Sequence, residues 1–124
     1  MDSYLWVALG SAVGGMARFW LTQMGAVWWG AQFPWGTFAI NLLGSAVIGV
    51  LAGFDGAISA QWRLLLMTGV CGGFTTFSSF SLQTFELIEQ GAVASAAGYV
   101  ALSVVVCLLG CWLGYAAVSS RMLG

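Results

Sequence analysis

Six hydroxyl side chains crowd into one short stretch of the chain: Thr75, Thr76, Ser78, Ser79, Ser81 and Thr84. Phe74, Phe77 and Phe80 recur every third residue through them, and Gly72-Gly73 comes immediately before. A glycine pair is a poor helix interior. The composition therefore suggests a broken helix lined with small donors. Such a break can bind ions, because half-helix N-termini attract anions and freed carbonyls coordinate cations. The plainer alternative is a kink whose hydroxyls bond back to carbonyls one turn earlier. Edge-on phenylalanine rings present a positive rim. They would touch an anion weakly enough to let it leave, as conduction requires; packing alone also accounts for rings at this spacing.

Other polar residues fall into step with this stretch. Thr76, Ser79, Gln83 and Glu86 share one helical face. Asn41 stands alone in the apolar run Phe38–Gly44. Its amide needs partners when buried, either another helix or an ion. Ser95, Tyr99 and Ser103 follow at fourth positions, with Cys107 and Cys111 continuing the track. The chain has no histidine, which removes Ser-His and Cys-His nucleophile pairs and histidine metal sites. Its three cysteines, Cys71, Cys107 and Cys111, are odd in number and lie in apolar segments. They read as small buried hydrophobes. No acid occurs mid-span, where proton-coupled or cation transport usually places one. Hydroxyls, an amide and ring edges point to a small anion.

The elements that must hold these groups are membrane helices. Of 124 residues, 60% are hydrophobic and 6% charged, too few charges for the skin of a soluble domain. With a net charge of −1 and no basic cluster, nucleic-acid binding is excluded. The charge-free intervals Arg18–Asp55, Arg63–Glu86 and Glu89–Arg121 each hold at least one apolar stretch of roughly 20 residues, enough to cross a bilayer. Four transmembrane segments are expected, near residues 4–24, 34–53, 62–89 and 92–120, the third broken. Residues 1–124 then form a single domain of an all-α membrane protein. Asp2 and Arg18 do not suit a signal peptide, so the first segment is expected to remain as a mature helix. Pro34 suits a helix start, and Trp28 and Trp29 an interfacial belt. Three glycine pairs at GxxxG spacing, Gly10/Gly14, Gly49/Gly53 and Gly110/Gly114, predict close helix packing. Four spans put both termini on one side. Arg63 and Arg121 would lie there and Arg18 nearer the other face. So slight a bias allows both orientations in the membrane, and hence an antiparallel homodimer.

The chain resembles the fluoride channels of the Fluc/CrcB type over essentially its whole length. The resemblance rests on Trp35-Gly36-Thr37-Phe38-Ala39-Ile40-Asn41-Leu42-Leu43-Gly44 and on the run from Thr68 to Ser81, with Gly14-Gly15-Met16-Ala17-Arg18 and Gly98-Tyr99 in support. It implies a dual-topology antiparallel homodimer in the inner (cytoplasmic) membrane. This dimer would pass fluoride passively outward, driven by the membrane potential, and so give fluoride resistance. It also implies a pore lined by Phe77, Phe80 and Asn41, and the neighbouring hydroxyls of Thr76, Ser78, Ser79 and Ser81 are expected to line it with them. Tyr99 and Ser103 would form a polar track and Arg18 would stand at an aqueous vestibule, with Thr37 ahead of the asparagine. The carbonyls of Gly72 and Thr75 would hold a central structural Na+. Cys107 stands where relatives can carry serine, and Gln83 where they can carry glutamate. The rival reading is a small dual-topology multidrug/proton antiporter, which depends on a carboxylate embedded in the first helix. Here that helix has only Asp2 at its extreme end. A third reading is a non-transporting assembly subunit, which leaves the hydroxyl-rich break unexplained.

Overall fold

The computed structural model describes residues 2–123, and every regular element among them is helical. Helix α1 spans Asp2–Trp29 and α2 spans Trp35–Gly53. The third segment is composite. A single turn, α3 (Ala60–Arg63), continues as a π-helix over Leu64–Cys71 and as a last turn, α4 (Gly72–Phe74). After two extended residues it resumes as α5 (Phe77–Glu89). Helix α6 spans Val93–Leu123. Among the described residues, three stretches are long and apolar enough to cross a membrane: Trp35–Gly53, Ala60–Glu89 and Val93–Arg121. Helix α1 has 28 residues, about 42 Å at 1.5 Å per residue. Arg18, Thr22 and Gln23 make it less apolar than the other three. It also runs on to Trp29 instead of ending near Met24, so the connection to α2 shrinks to 30–34.

Local chemistry sets the ends. Pro34 is the N-cap of α2, just outside the helix. The Ser59 hydroxyl caps α3 by accepting from the Trp62 amide at 3.4 Å. Gly91, with φ +81°, supplies the left-handed residue that turns α5 into α6.

Helices pair as the small residues predict. Helix α1 lies along the π-helix and α2 along α6. A Cβ at Gly10 or Gly14 would run into the Leu65 or Val70 carbonyl. One at Gly49 or Gly114 would meet the backbone of Cys111 or Ala46. The GxxxG pairs therefore serve contacts within the chain. Most of the outer surface is apolar, including Met16, Phe19, Leu108, Leu109 and Leu113, as contact with lipid requires. Trp6 and Trp62 meet at one end, their rings tilted by 41° with 6.5 Å between centroids. Trp20, Trp28 and Trp29 gather toward the other.

The third segment is broken, but not at the glycines. Gly72 is right-handed helical (φ −63°, ψ −38°), and the helix continues through Phe74. The break falls at Thr75 (ψ 158°) and Thr76 (φ −149°, ψ 114°). Gly73 is glycine for a different reason: a Cβ there would lie 2.7 Å from the Ser11 carbonyl oxygen of α1. The β-branched threonines favour extended backbone, and Thr76 then caps the next helix.

Candidate functional site

The break disturbs a definite set of backbone groups, and their partners can be followed one by one. The Cys71 carbonyl accepts both the Thr75 amide at 3.0 Å and the Thr75 hydroxyl at 2.9 Å. The Gly73 carbonyl accepts from Arg18 Nε at 3.1 Å. Thr76 is paired by a side chain from 35 residues away. Its amide donates to Asn41 Oδ1 at 2.8 Å, and its carbonyl accepts from Asn41 Nδ2 at 3.0 Å. One amide side chain thus stands in for a peptide group of a neighbouring strand. The Thr76 hydroxyl accepts from the Ser79 amide at 3.1 Å and so caps α5. Among the described residues, the carbonyls of Gly72 and Thr75 accept no hydrogen bond.

The two ends of the break have opposite polarity. Helix α4 ends in carbonyls, and Arg18 supplies a positive charge to one of them. Helix α5 begins with amides at Phe77 and Ser78 that find no partner among the described residues, the end of a helix that favours anions. Both ends open on a groove of about 390 Å³, whose wall includes Asn41, Thr75, Phe77, Phe80, Ser103 and Cys107. Phe77 stands 79% exposed at its mouth, and Phe80 is 9% exposed behind it. Their centroids are 5.5 Å apart. Phe80 leans on Tyr99 at 5.1 Å. Ser103 is 6% exposed, and its hydroxyl has no hydrogen-bond partner among the described residues.

A second hollow of about 220 Å³ lies beyond Tyr99 and is more polar. Thr22, Gln32, Thr37, Gln83, Glu86 and Gln90 line it. Tyr99 is fully buried, and its hydroxyl donates to Gln83 Oε1 at 3.1 Å. Tyr99 itself lines neither space; its ring packs against Phe80 of the groove wall at 5.1 Å and against Phe33 of the hollow's wall at 5.4 Å.

The structure gathers Asn41, Gly72, Thr75, Thr76, Phe77, Phe80 and Ser103 around one space. It leaves Ser78 and Ser81 outside that wall, both exposed. The Ser81 hydroxyl donates to the Phe77 carbonyl at 3.0 Å, and that of Thr84 to the Phe80 carbonyl at 2.8 Å. For these two residues the back-bonding alternative holds. Ser79 meets the site through its amide, and Ser95 points away from the core. Arg18 reaches the break itself. Sequence reasoning missed Ser45, Ile48 and Val104 on the groove wall and Thr22, Gln32 and Gln90 in the polar hollow. Gln32 and Gln90 at helix-connecting turns were the one available signal.

Comparison with known proteins gives the same picture. Residues 5–115 match the family model described as CrcB-like protein, Camphor Resistance (CrcB). The "Fluoride-specific ion channel FluC" of Methylocella silvestris is 53% identical over 117 residues, covering 90% of this chain and 89% of that protein. The protein of the same name from Rhodospirillum rubrum is 52% identical over 118 residues, covering 91% and 92%. That of Paramagnetospirillum magneticum is 48% identical over 122 residues, covering 94% and 95%. A family match over residues 5–115, with relatives about half identical over nine-tenths of the chain, places this chain in the CrcB family.

Proposed function

We propose that this chain is a fluoride-specific ion channel, a transporter and not an enzyme. It passes F− passively out across the cytoplasmic membrane and so protects the cell from fluoride. One observation carries the reading: an interrupted helix whose anion-attracting end and ring edges open on one groove, with the unpaired Ser103 hydroxyl buried in its wall. Relatives named as fluoride channels support it. Fluoride is small and strongly hydrated, so a path must replace its water with donors. The Asn41 amide keeps one N–H beyond those spent on Thr76. Ser103 offers an O–H, α5 its first amides, and Phe77 and Phe80 their rims. Thr76 and Ser79 shape the cap. Tyr99 backs Phe80, and Arg18 adds positive charge near the break. Ser78, exposed on α5, contributes where that surface meets a second copy, whereas the Ser81 hydroxyl is spent on the Phe77 carbonyl.

The working unit is an antiparallel, dual-topology homodimer with four spans per chain. In a single copy the groove leaves Asn41 and Thr75 partly open to hydrocarbon at mid-span, where exposed polar groups are costly. A second copy removes that exposure. The arginine balance allows the opposite insertion. The unpaired Gly72 and Thr75 carbonyls fit a hard cation, which prefers oxygen donors. One such pair from each copy would hold a structural Na+ at the dimer centre. When bound, the ion supplies fixed positive charge between two apposed breaks.

The test is fluoride efflux from liposomes carrying the purified protein, read with a fluoride electrode. A K+ ionophore supplies the counter-current and no proton gradient is imposed. Rapid efflux with chloride retained is expected. Drug-dependent proton exchange without fluoride efflux would favour the antiporter instead.

A further inference from the structure

The polar stripe of α5 runs on past the groove. Gln83 lies about one turn after Phe80, and Glu86 about one turn further on the same face. Both line the hollow of about 220 Å³, together with Thr22 of α1, Gln32 of the connection and Thr37 of α2. This hollow sits where α1 ends, α2 begins and α5 ends, and its Gln32 and Gln90 are exposed. Among the described residues Glu86 is the only charged side chain on that wall, and it too is exposed. No cation answers it there. The chain has three arginines and no lysine. Arg18 is turned to the Gly73 carbonyl. Arg63 opens the third segment, and Arg121 lies in the last turn of α6. A lone negative charge in a wet, narrow space lowers the local concentration of anions. Two unit charges about 4 Å apart in water interact strongly enough to change that concentration about fivefold. Across the width of this hollow about threefold remains at low salt. Little remains at high salt, because the screening length falls from about 30 Å at 0.01 M to about 3 Å at 1 M.

We propose that the polar hollow is the mouth through which the groove meets water, and that Glu86 is a rate-setting charge there, thinning the anions that enter or leave. The proposal rests on the channel reading. The seam between the two spaces is built by three side chains: Phe80 of the groove wall packs on Tyr99, and the Tyr99 hydroxyl donates to Gln83 of the hollow's wall. Glu86 follows next along α5. Its charge acts on every monovalent anion alike, so it sets the rate and leaves selectivity to the groove. Glu89, also on α5, is absent from the wall and serves as the control.

The experiment is fluoride efflux from liposomes of zwitterionic lipid carrying the full chain, at about 10 mM and about 0.5 M total salt, where screening is weak and strong. Glu86→Gln should pass fluoride about threefold faster than the unaltered chain at low salt and at nearly the same rate at high salt. Glu86→Asp keeps the charge and should match the unaltered chain at both. Glu89→Gln should give less than half the gain of Glu86→Gln. The unaltered chain needs no substitution to be tested: its own efflux at equal fluoride should rise about threefold from low to high salt. Salt-independent efflux from the unaltered chain would overturn the proposal, as would an undiminished gain of Glu86→Gln at high salt or an equal gain from Glu89→Gln. Each of these leaves the channel reading standing. Absence of fluoride efflux from the unaltered chain at either salt would overturn the channel reading, and this proposal with it.

Discussion

Replacing Asn41 by alanine removes two hydrogen bonds at once, because one amide serves both the N–H and the C=O of Thr76. Neither backbone group has another partner among the described residues, and water is scarce at that depth. A buried polar group left unpaired costs about 1–3 kcal/mol, so two give about 2–6 kcal/mol. Side-chain hydrogen bonds inside membranes average nearer 0.6 kcal/mol, because the unfolded chain in the bilayer also finds partners. The lower half of the range is therefore expected, about 2–4 kcal/mol. That is a large share of the 5–15 kcal/mol that holds a typical protein folded. Asn41→Ala should thus lose fluoride flux and unfold at a visibly lower temperature in detergent. The assays are thermal unfolding followed by tryptophan fluorescence and efflux from liposomes. An Asn41 that only met the ion would give a variant with impaired flux and unaltered melting. That result would refute the reasoning that the amide splints the break.

Phe80→Ile keeps most of the bulk against Tyr99 but removes the ring's polar rim; flux should fall at least tenfold while the elution profile of the purified protein is unchanged. Gly73→Ala pushes a methyl into the Ser11 backbone of α1 and should destabilise by about 1–3 kcal/mol, as overpacking does. Gly72→Ala meets nothing nearer than the Met67 carbonyl at 3.8 Å and should leave the melting temperature of a single chain unchanged; equal melting of the two variants would contradict this difference. Reporters fused to the C-terminus should give signal on both sides of the membrane, and a one-sided signal would exclude the dual-topology homodimer.

The composition made the membrane and the interrupted third helix legible, and the small-residue pairs made the close contacts legible. The position of the break was not, because Gly72-Gly73 looks like a breaker. A glycine is only permitted to leave the helix; packing decides. At Gly73 packing asks for a bare Cα, and at Thr75–Thr76 a hydroxyl cap and β-branching end the turn. Asn41 was visible as a lone amide. Its partner, 35 residues away, depends on how α2 meets the third segment, and no local pattern encodes that. The hydroxyl count overstated the site, since Ser81 and Thr84 spend their protons on their own helix. The π-helix left no mark in the sequence: Leu64–Cys71 reads as ordinary apolar helix.

The glycine face of α1 acts as a ruler for a charge. Arg18 lies one turn beyond Gly14, and its Nε reaches the Gly73 carbonyl at 3.1 Å only because α1 rests directly on the backbone of the π-helix. A contact stretched to about 3.6 Å is no longer a hydrogen bond, so about half an ångström of separation is enough to break it. A single methyl at Gly14 forces at least that much. An uncharged, non-polar change facing away from the groove would thus withdraw a guanidinium from the break and alter the electric potential there.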